Sequence, residues 1–140
     1  MRTMRILAVM LLIGIVLAAP YALAQPGRDE GNAARIAANF VRLAGSEENA
    51  LALVNALHSG ERVTLVADAG GTKTPVTTCF ELPTGPMDWD NVVISLALAR
   101  DSLTRAGVMH PTPEELEAAL LGGDIFTAKG RIRLGGALYK

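Results

Sequence analysis

Residues Gly60–Leu82 read GERVTLVADAGGTKTPVTTCFEL, and the apolar period changes within this stretch. Before Gly60, apolar residues recur every three or four positions, whereas Arg62–Ala67 alternates with a period of two. Asp68–Thr72 has turn chemistry, and Thr74–Leu82 is again rich in strand-forming residues. The stretch therefore predicts a β-hairpin that follows helical segments, which indicates an α+β fold.

Two helices are predicted before this hairpin. The first opens at Asn32, has an apolar face that extends to Leu43, and ends at Gly45. Ser46 is expected to cap the second helix, since its hydroxyl can accept a hydrogen bond from a free backbone N–H. That helix should end at Gly60, in the left-handed conformation that glycine tolerates.

A third helix is predicted after the hairpin. The apolar run Val92–Ala99 could be a buried strand, but helical spacing continues through Leu103. We therefore expect one helix from about Asp90 to Ala106. Because its first half is apolar nearly all round, we expect it to be the most buried element.

His110–Gly123 reads HPTPEELEAALLGG and brings three carboxylates close to one of the two histidines. Such a cluster could serve acid–base chemistry, but its residues also have structural explanations. Thr112 is expected to cap a helix, Pro113 to occupy the first helical position, and Glu115 to complete a capping box. We interpret the cluster as the start of a short helix that ends at the paired glycines, with His110 on an exposed turn.

The C-terminal part has strand-like pieces at Ile125–Thr127 and Arg131–Leu134. These predict a second hairpin, whose strands we expect to join the first hairpin in one antiparallel sheet. A chain this short supports a single hydrophobic core. Residues 32–140 are thus predicted to form a small single α+β domain of about four helices with antiparallel β-hairpins.

The first 24 residues have the order of a secretory signal peptide. Two arginines precede the apolar run Ile6–Ala19, which is followed by Ala22-Leu23-Ala24. That run is shorter than the roughly 20 residues a helix needs to span the hydrocarbon core. We expect cleavage between Ala24 and Gln25, with residues 25–31 as a flexible leader and a periplasmic or secreted location. Membrane contact is expected only through the signal peptide before cleavage.

The charge of the mature chain excludes one class of partner. Without the signal peptide the chain has 13 − 2 = 11 Lys and Arg against 14 Asp and Glu, a net charge of −3 at pH 7. The basic residues show no cluster in the sequence. A nucleic-acid-binding protein needs a positive stripe to meet phosphates, so we expect no nucleic-acid partner. The spacing of Cys and His matches no metal-ligand set, and no metal or other cofactor is predicted.

Cys79 is the only cysteine, so the chain can form no internal disulfide bond. It could bridge to another chain, act as a reactive thiol, or be a small half-buried strand residue, and its strand context favours the last. A catalytic group of Cys79 with His58 or His110 is conceivable, but His58 in the last turn of a helix has a structural explanation in the helix dipole. No catalytic residue is assigned.

The strongest candidate binding site is the loop MDWDN, which contains Asp88, Trp89, Asp90 and Asn91. The two carboxylates and the amide could supply oxygen ligands to calcium, and Trp89 could stack on a sugar ring. The structural explanation is that Asp88 or Asp90 caps the third helix while Trp89 packs on its first turn. It is favoured because calcium normally takes about six to eight oxygen ligands, more than this loop offers.

Four segments carry a resemblance: Leu43–Ala50 (LAGSEENA), Gly60–Leu65 (GERVTL), Pro83–Ile94 (PTGPMDWDNVVI) and Pro111–Gly123 (PTPEELEAALLGG). Together they resemble a group of small exported bacterial proteins without an assigned activity, over about residues 43–138. The resemblance implies an envelope or secreted location and offers no catalytic residue. In that group small residues, often glycine, flank the aromatic where this chain has Asp88 and Asp90, which weighs against a metal role for the two aspartates.

The sequence therefore predicts an exported protein that acts as a non-enzymatic interaction or structural protein of the cell envelope. Its partner would be an envelope protein or peptidoglycan. One alternative is a peptidoglycan- or sugar-binding module, because the helix-turn-helix pattern of Leu96–Leu121 is similar to that of such modules. The other alternative is a hydrolase that uses Cys79 or the Asp88-Trp89-Asp90 loop.

Overall fold

A computed structural model of the chain describes residues 26–68 and 74–139. These residues form a small single domain of four α-helices and two antiparallel β-hairpins, which confirms the predicted α+β class. The predicted signal peptide, its predicted cleavage site and residues 69–73, where we predicted a turn, lie outside the described residues. The elements are α1 (Pro26–Ala44), α2 (Glu47–Ser59), β1 (Val63–Asp68), β2 (Pro75–Phe80), α3 (Trp89–Arg105), α4 (Pro113–Leu121), β3 (Gly123–Thr127), β4 (Gly130–Leu134) and a 3₁₀ turn (Ala137–Tyr139).

Helix α1 begins earlier than the sequence suggested. It starts at Pro26 rather than Asn32, so residues 26–31 are helical where we expected a leader without secondary structure. Asp29 in the first turn adds a favourable interaction with the helix dipole. The polar segment 26–31 is therefore part of α1 rather than a separate leader.

Helix α2 is the central element of the core. Ser46 caps its N-terminus by accepting a hydrogen bond from the Asn49 N–H, and Gly60 ends it with φ = 75°, as predicted. Leu53, Val54 and Leu57 are fully buried. This helix packs against α1, β1 and α3, and the core therefore forms around it rather than around α3.

Helix α3 spans nearly the predicted range, but the prediction that it is the most buried element is wrong. Val92 and Leu96 lie in the core, whereas Val93 and Ile94 are 38% and 54% exposed. The reason is that α1, α2, α4 and the 3₁₀ turn all pack on the inner side of α3. Its outer side has no neighbour among the described elements and leaves both apolar side chains in contact with water.

The two hairpins form separate two-stranded sheets, so the prediction of one common sheet is wrong. Helix α4 follows the first hairpin in the chain, precedes the second and contacts both of them. Since α4 packs against β1, β2 and β3, the strands of the two hairpins do not become neighbours. The return of the chain after β4 is tight at Gly136, where a Cβ atom would lie 2.7 Å from the backbone N of Gly122.

The register of the first hairpin decides which side chains enter the core. Val63 pairs with Phe80, and both are buried against the helices. Thr64 pairs with Cys79 on the opposite face, so Cys79 is exposed rather than half-buried as we expected. A two-stranded sheet covered on one side has nothing on its outer face to shield alternate residues.

One buried polar residue joins three elements. Asn49, near the start of α2, is 5% exposed, and its side-chain amide forms hydrogen bonds with the main chain of Ala44 at the end of α1 and of Val66 in β1.

None of the helices among residues 26–68 and 74–139 has the length and apolar composition that a membrane-spanning helix needs.

Candidate functional site

The loop before α3 is fixed by the end of α2. The N–H of Met87 donates to the carbonyl oxygen of Leu57 at 3.2 Å. The Nδ1 atom of His58 lies 2.7 Å from the carbonyl oxygen of Met87, and because a carbonyl only accepts, Nδ1 must carry the proton. At Gly60 a Cβ atom would lie 2.7 Å from the backbone N of Pro86, so only glycine permits this approach. The loop therefore has one defined position on α2.

Asp88 has the structural role that the sequence allowed for it. Its Oδ1 atom accepts a hydrogen bond of 2.8 Å from the Asn91 N–H and caps α3. Asp90, in the first turn, is exposed and caps nothing. The capping explanation is therefore confirmed for Asp88.

Trp89 stacks on His58 across the junction of α2 and α3. The two ring centroids are 3.6 Å apart and the ring planes are inclined by 14°. This contact fixes the orientation of a half-buried tryptophan and leaves one face of the indole occupied by the imidazole. Local sequence patterns predict a structural role for each of the two residues but not their contact, because the residues are far apart in the chain.

Trp89 and His58 line one end of an open groove between α1 and α2. This end has a volume of about 540 Å³, and Leu51 and Asn55 form its α2 side. Asp29 at the start of α1 brings a carboxylate to its edge. The end is thus mainly apolar, with an amide, an imidazole and acidic groups at its margin.

The groove continues along α1 and α2. A second depression of about 270 Å³ shares Ala34 and Leu51 with the first and extends to Ala38 and Val41. Leu51 is 40% exposed although it lies on a helix with a well-buried opposite face. We call the two depressions together the α1–α2 groove. It is an exposed apolar surface formed by two rigid elements.

The four candidate residues of the loop do not form one site. Trp89 lines the α1–α2 groove, whereas Asp88 and Asn91 line a different depression that also contains Thr84 and Ser95. Asp90 lines neither of them. The helical turn separates consecutive side chains by about 100° because a helix has 3.6 residues per turn. The pattern Asp-Trp-Asp-Asn is therefore compact in sequence and dispersed in space.

The depression beside Asp88 contains two hydroxyl groups with little hydrogen bonding. Thr84 Oγ1 is buried without a partner, and Ser95 Oγ has only the Met87 sulfur at 3.8 Å. Within residues 26–68 and 74–139, no three His, Cys, Asp or Glu side chains are grouped closely enough to hold a metal ion. Asp88 is the only carboxylate among the residues that line this depression, and one of its oxygens accepts the capping hydrogen bond.

Cys79 and the two histidines make their contacts in different parts of the structure. Its Sγ atom lies 3.6 Å from Thr64 Oγ1 on the outer face of the first hairpin. His58 is held by Trp89 and Met87, and His110 is on an exposed turn, as predicted. No hydrogen bond of the described residues connects the thiol with either imidazole.

The acidic cluster at the start of α4 is a capping box. Thr112 Oγ1 accepts from the Glu115 N–H at 3.3 Å, and Glu115 Oε2 accepts from the Thr112 N–H at 2.9 Å. Hydrogen bonds from its own backbone N–H and from the Thr78 hydroxyl lower the pKa of Glu114. Burial, followed by the charge of Glu114, raises the pKa of Glu117. The structural interpretation of the cluster is thus confirmed.

The residues that the sequence interpretation missed are those that form the groove. Leu51 falls between the positions of the buried α2 stripe, and an apolar residue off such a stripe is a signal for an exposed position. The same signal applies to Ile94 in α3. Ala34 and Ala38 carry no comparable signal, because alanine is common on both faces of a helix.

No family model, curated protein or solved structure matches the chain significantly.

Proposed function

We propose that this protein is exported and acts in the cell envelope through its surface, without catalytic activity of its own. The order of charged, apolar and small residues in positions 1–24 supports export. The resemblance to small exported bacterial proteins supports the same location.

The observation that carries the interaction role is the α1–α2 groove. The polar residues that could have served catalysis are engaged in the fold: Asp88 and Glu115 act as caps, and His58 holds the loop before α3. The groove, in contrast, exposes Leu51 of α2 and Ala34 and Ala38 of α1 to solvent. An exposed apolar groove of this kind is typical of protein-binding surfaces.

Acidic residues line the groove itself (Asp29, Glu30 and Glu47), whereas the exposed arginines of α1 lie outside its lining and favour a partner helix with acidic residues on the flank that reaches them. Arg28, Arg35 and Arg42 are exposed and seven residues apart, so they form a row along α1. None of them is in an ion pair with another described residue. An amphipathic helix could place apolar side chains on Leu51 and Ala34 while carboxylates at heptad spacing meet the arginines. We therefore take the occupant to be a helix of another envelope protein.

Replacing Ala34 by Trp tests the proposal, because it fills the groove from an exposed position. In a strain without the gene, the parental protein with a photoreactive residue at position 51 should crosslink to an envelope protein, and Ala34→Trp should abolish this crosslink. Thr104→Trp, which adds the same bulk to the exposed side of α3, is the control and should crosslink like the parent. Charge reversal of Arg35 should weaken the crosslink.

Two results would contradict the proposal. The first is an equal crosslink in Ala34→Trp and in the control, which would show that the groove is not the contact surface. The second is recovery of the protein from the cytoplasm with Met1 intact, since we expect an envelope form that begins at Gln25. The mass of the recovered protein distinguishes these forms directly.

A sugar-binding role is the second candidate, and Trp89 is the observation that favours it. The indole lines the groove close to the Asn55 amide and to the Asp29 and Glu30 carboxylates, which could bond with hydroxyl groups. Titrating peptidoglycan fragments while recording Trp89 fluorescence tests this role. A saturable change that Asn55→Ala removes would favour sugar binding over a helical partner.

A further inference from the structure

The outer face of the second hairpin combines an exposed aromatic ring with positive charge. Phe126 pairs with Arg131 and Asp124 pairs with Arg133 in the β3–β4 register. Since side chains alternate along a strand, these four residues point away from the core, while Ile125 points into it. Lys129, in the turn, is exposed beside them. We call Asp124, Phe126, Lys129, Arg131 and Arg133 the hairpin face.

Phe126 is the most exposed of the large hydrophobic residues in the described part of the chain. Its relative exposure is 76%, compared with 63% for Met109 and Tyr139. The ring lies on a protruding hairpin rather than in a groove, and no described element covers it. Among residues 26–68 and 74–139, nothing buries this aromatic side chain, which is therefore open to contact with another surface.

The charge of the hairpin face is opposite to that of the rest of the protein. Three cations and one carboxylate give 3 − 1 = +2 on the hairpin, whereas residues 25–140 together have a net charge of −3. Arg131 pairs with Asp124 at 3.0 Å, which leaves Lys129 and Arg133 in no ion pair with other described residues. The sequence showed no basic cluster, but strand alternation and the register gather these cations around Phe126.

We propose that the hairpin face binds the surface of an anionic lipid bilayer. Phe126 enters the boundary between headgroups and acyl chains, and Lys129, Arg131 and Arg133 contact lipid phosphates. Aromatic and basic side chains on one surface are the combination that peripheral membrane proteins use. Charge complementarity favours anionic lipid, and the shape favours a bilayer over a protein. A deformable bilayer admits a single protruding ring, whereas a protein partner would need a matching pocket.

This binding is weak and reversible. A single lipid chain anchors a protein only marginally, and one aromatic ring with a few cations is a smaller anchor. The electrostatic part depends on salt, because the Debye length falls from about 10 Å at 0.1 M to about 3 Å at 1 M. Membrane binding by the hairpin face extends the proposed function and does not depend on the α1–α2 groove. It is a second membrane contact, in addition to the one that we expected from the signal peptide.

Vesicle binding tests the proposal with the protein recovered from an exporting host and its mass determined. Vesicles of phosphatidylcholine alone are compared with vesicles in which about a third of the lipid is phosphatidylglycerol. At low salt the parent should bind the anionic vesicles severalfold better, and this preference should disappear at 0.5 M NaCl. Phe126→Ser and the double variant Lys129→Glu/Arg133→Glu should each reduce binding severalfold. Both variants change side chains that point away from the core, and thermal melts check that the variant proteins fold.

Matched controls separate the hairpin face from overall charge and hydrophobicity. Arg28→Glu/Arg35→Glu makes the same change in net charge on α1, and Met109→Ser removes another exposed apolar side chain. Both controls should bind like the parent. The proposal is wrong if the parent shows no preference for anionic vesicles, or if the α1 double variant loses as much binding as the hairpin variant. If only the charge variant loses binding and Phe126→Ser does not, the proposed insertion of Phe126 is wrong, because the face then adsorbs to anionic vesicles by charge alone.

Discussion

Asn49 completes the free edge of β1 at Val66. Its Nδ2 atom donates to the Val66 carbonyl oxygen at 2.7 Å, and its Oδ1 atom accepts from the Val66 N–H at 2.9 Å. A side-chain amide thus takes the place of a neighbouring strand. The same Nδ2 atom donates to the Ala44 carbonyl oxygen at 3.0 Å, so both amide hydrogens and the amide oxygen of one side chain hold α1, α2 and β1 together.

Asn49→Ala should therefore destabilise the fold by about 2–3 kcal/mol, because buried main-chain groups lose their partners. Asn49→Asp should be at least as harmful, since a carboxylate cannot donate to the two carbonyls. Asn55→Ala, on the exposed side of the same helix, should cost little. Denaturant midpoints measure all three, and equal midpoints for Asn49→Ala and Asn55→Ala would contradict the role of Asn49.

Thr112→Ala should destabilise the protein by about 1 kcal/mol, the usual loss for an N-cap residue. Its hydroxyl accepts from the Glu115 N–H, which then has no side-chain partner. Thr112→Ser keeps the hydroxyl and should stay close to the parent in urea unfolding. A parental midpoint for the alanine variant would show that the cap contributes nothing to stability.

Glu117 and Glu114 should give opposite pH dependences. The pKa of Glu117 is raised, so its contribution to stability is present below the ordinary carboxyl pKa and is lost as the pH rises through the raised value. Glu117→Gln should therefore gain stability relative to the parent between pH 3 and pH 7, by less than about 0.5 kcal/mol because solvent screens the charge. Thermal melts at both pH values measure this difference.

The pKa of Glu114 is lowered, so its effect on the pH dependence of stability is opposite to that of Glu117. Its contribution is present above the ordinary carboxyl pKa and is lost as the pH falls through the lowered value. Glu114→Gln should lose stability relative to the parent over the same rise in pH. If both variants shift in the same direction, the two environments do not differ as described.

Calcium should leave the fluorescence of Trp89 unchanged up to millimolar concentration. One oxygen of Asp88 is used as a cap, and Asp90 does not line the depression that Asp88 and Asn91 share. The double variant Asp88→Asn/Asp90→Asn should be equally insensitive. A saturable response of the parent below millimolar calcium that disappears in the double variant would make this loop a metal site.

The features that could be predicted from the sequence are those whose interacting residues are close together in the chain. Ser46, Gly60 and Thr112 act on backbone groups within about four residues, and their roles as helix ends were predicted. The stack of His58 on Trp89 and the bond of Asn49 with Val66 join distant segments, so no local pattern announces them. The same limit explains why the two hairpins were expected in one sheet.

The candidate site was predictable only in part, for a geometric reason. The residues around Trp89 were recognised by composition, but their grouping follows from helical geometry, which directs Trp89 and Asp88 to different surfaces. The α1–α2 groove depends on which residues of two helices remain uncovered after packing. Only Leu51, an apolar residue off the buried stripe of α2, gave a sign of it.

The close approach at two glycines has a consequence for evolution. At Gly60 and Gly136 a Cβ atom would lie 2.7 Å from backbone atoms of a distant segment, and both residues have φ = 75°. Neither constraint can be relieved by moving a flexible side chain. A homologue too divergent to be detected by overall similarity should therefore still carry glycine at both positions, whereas the alanines of the groove can drift with the partner they meet.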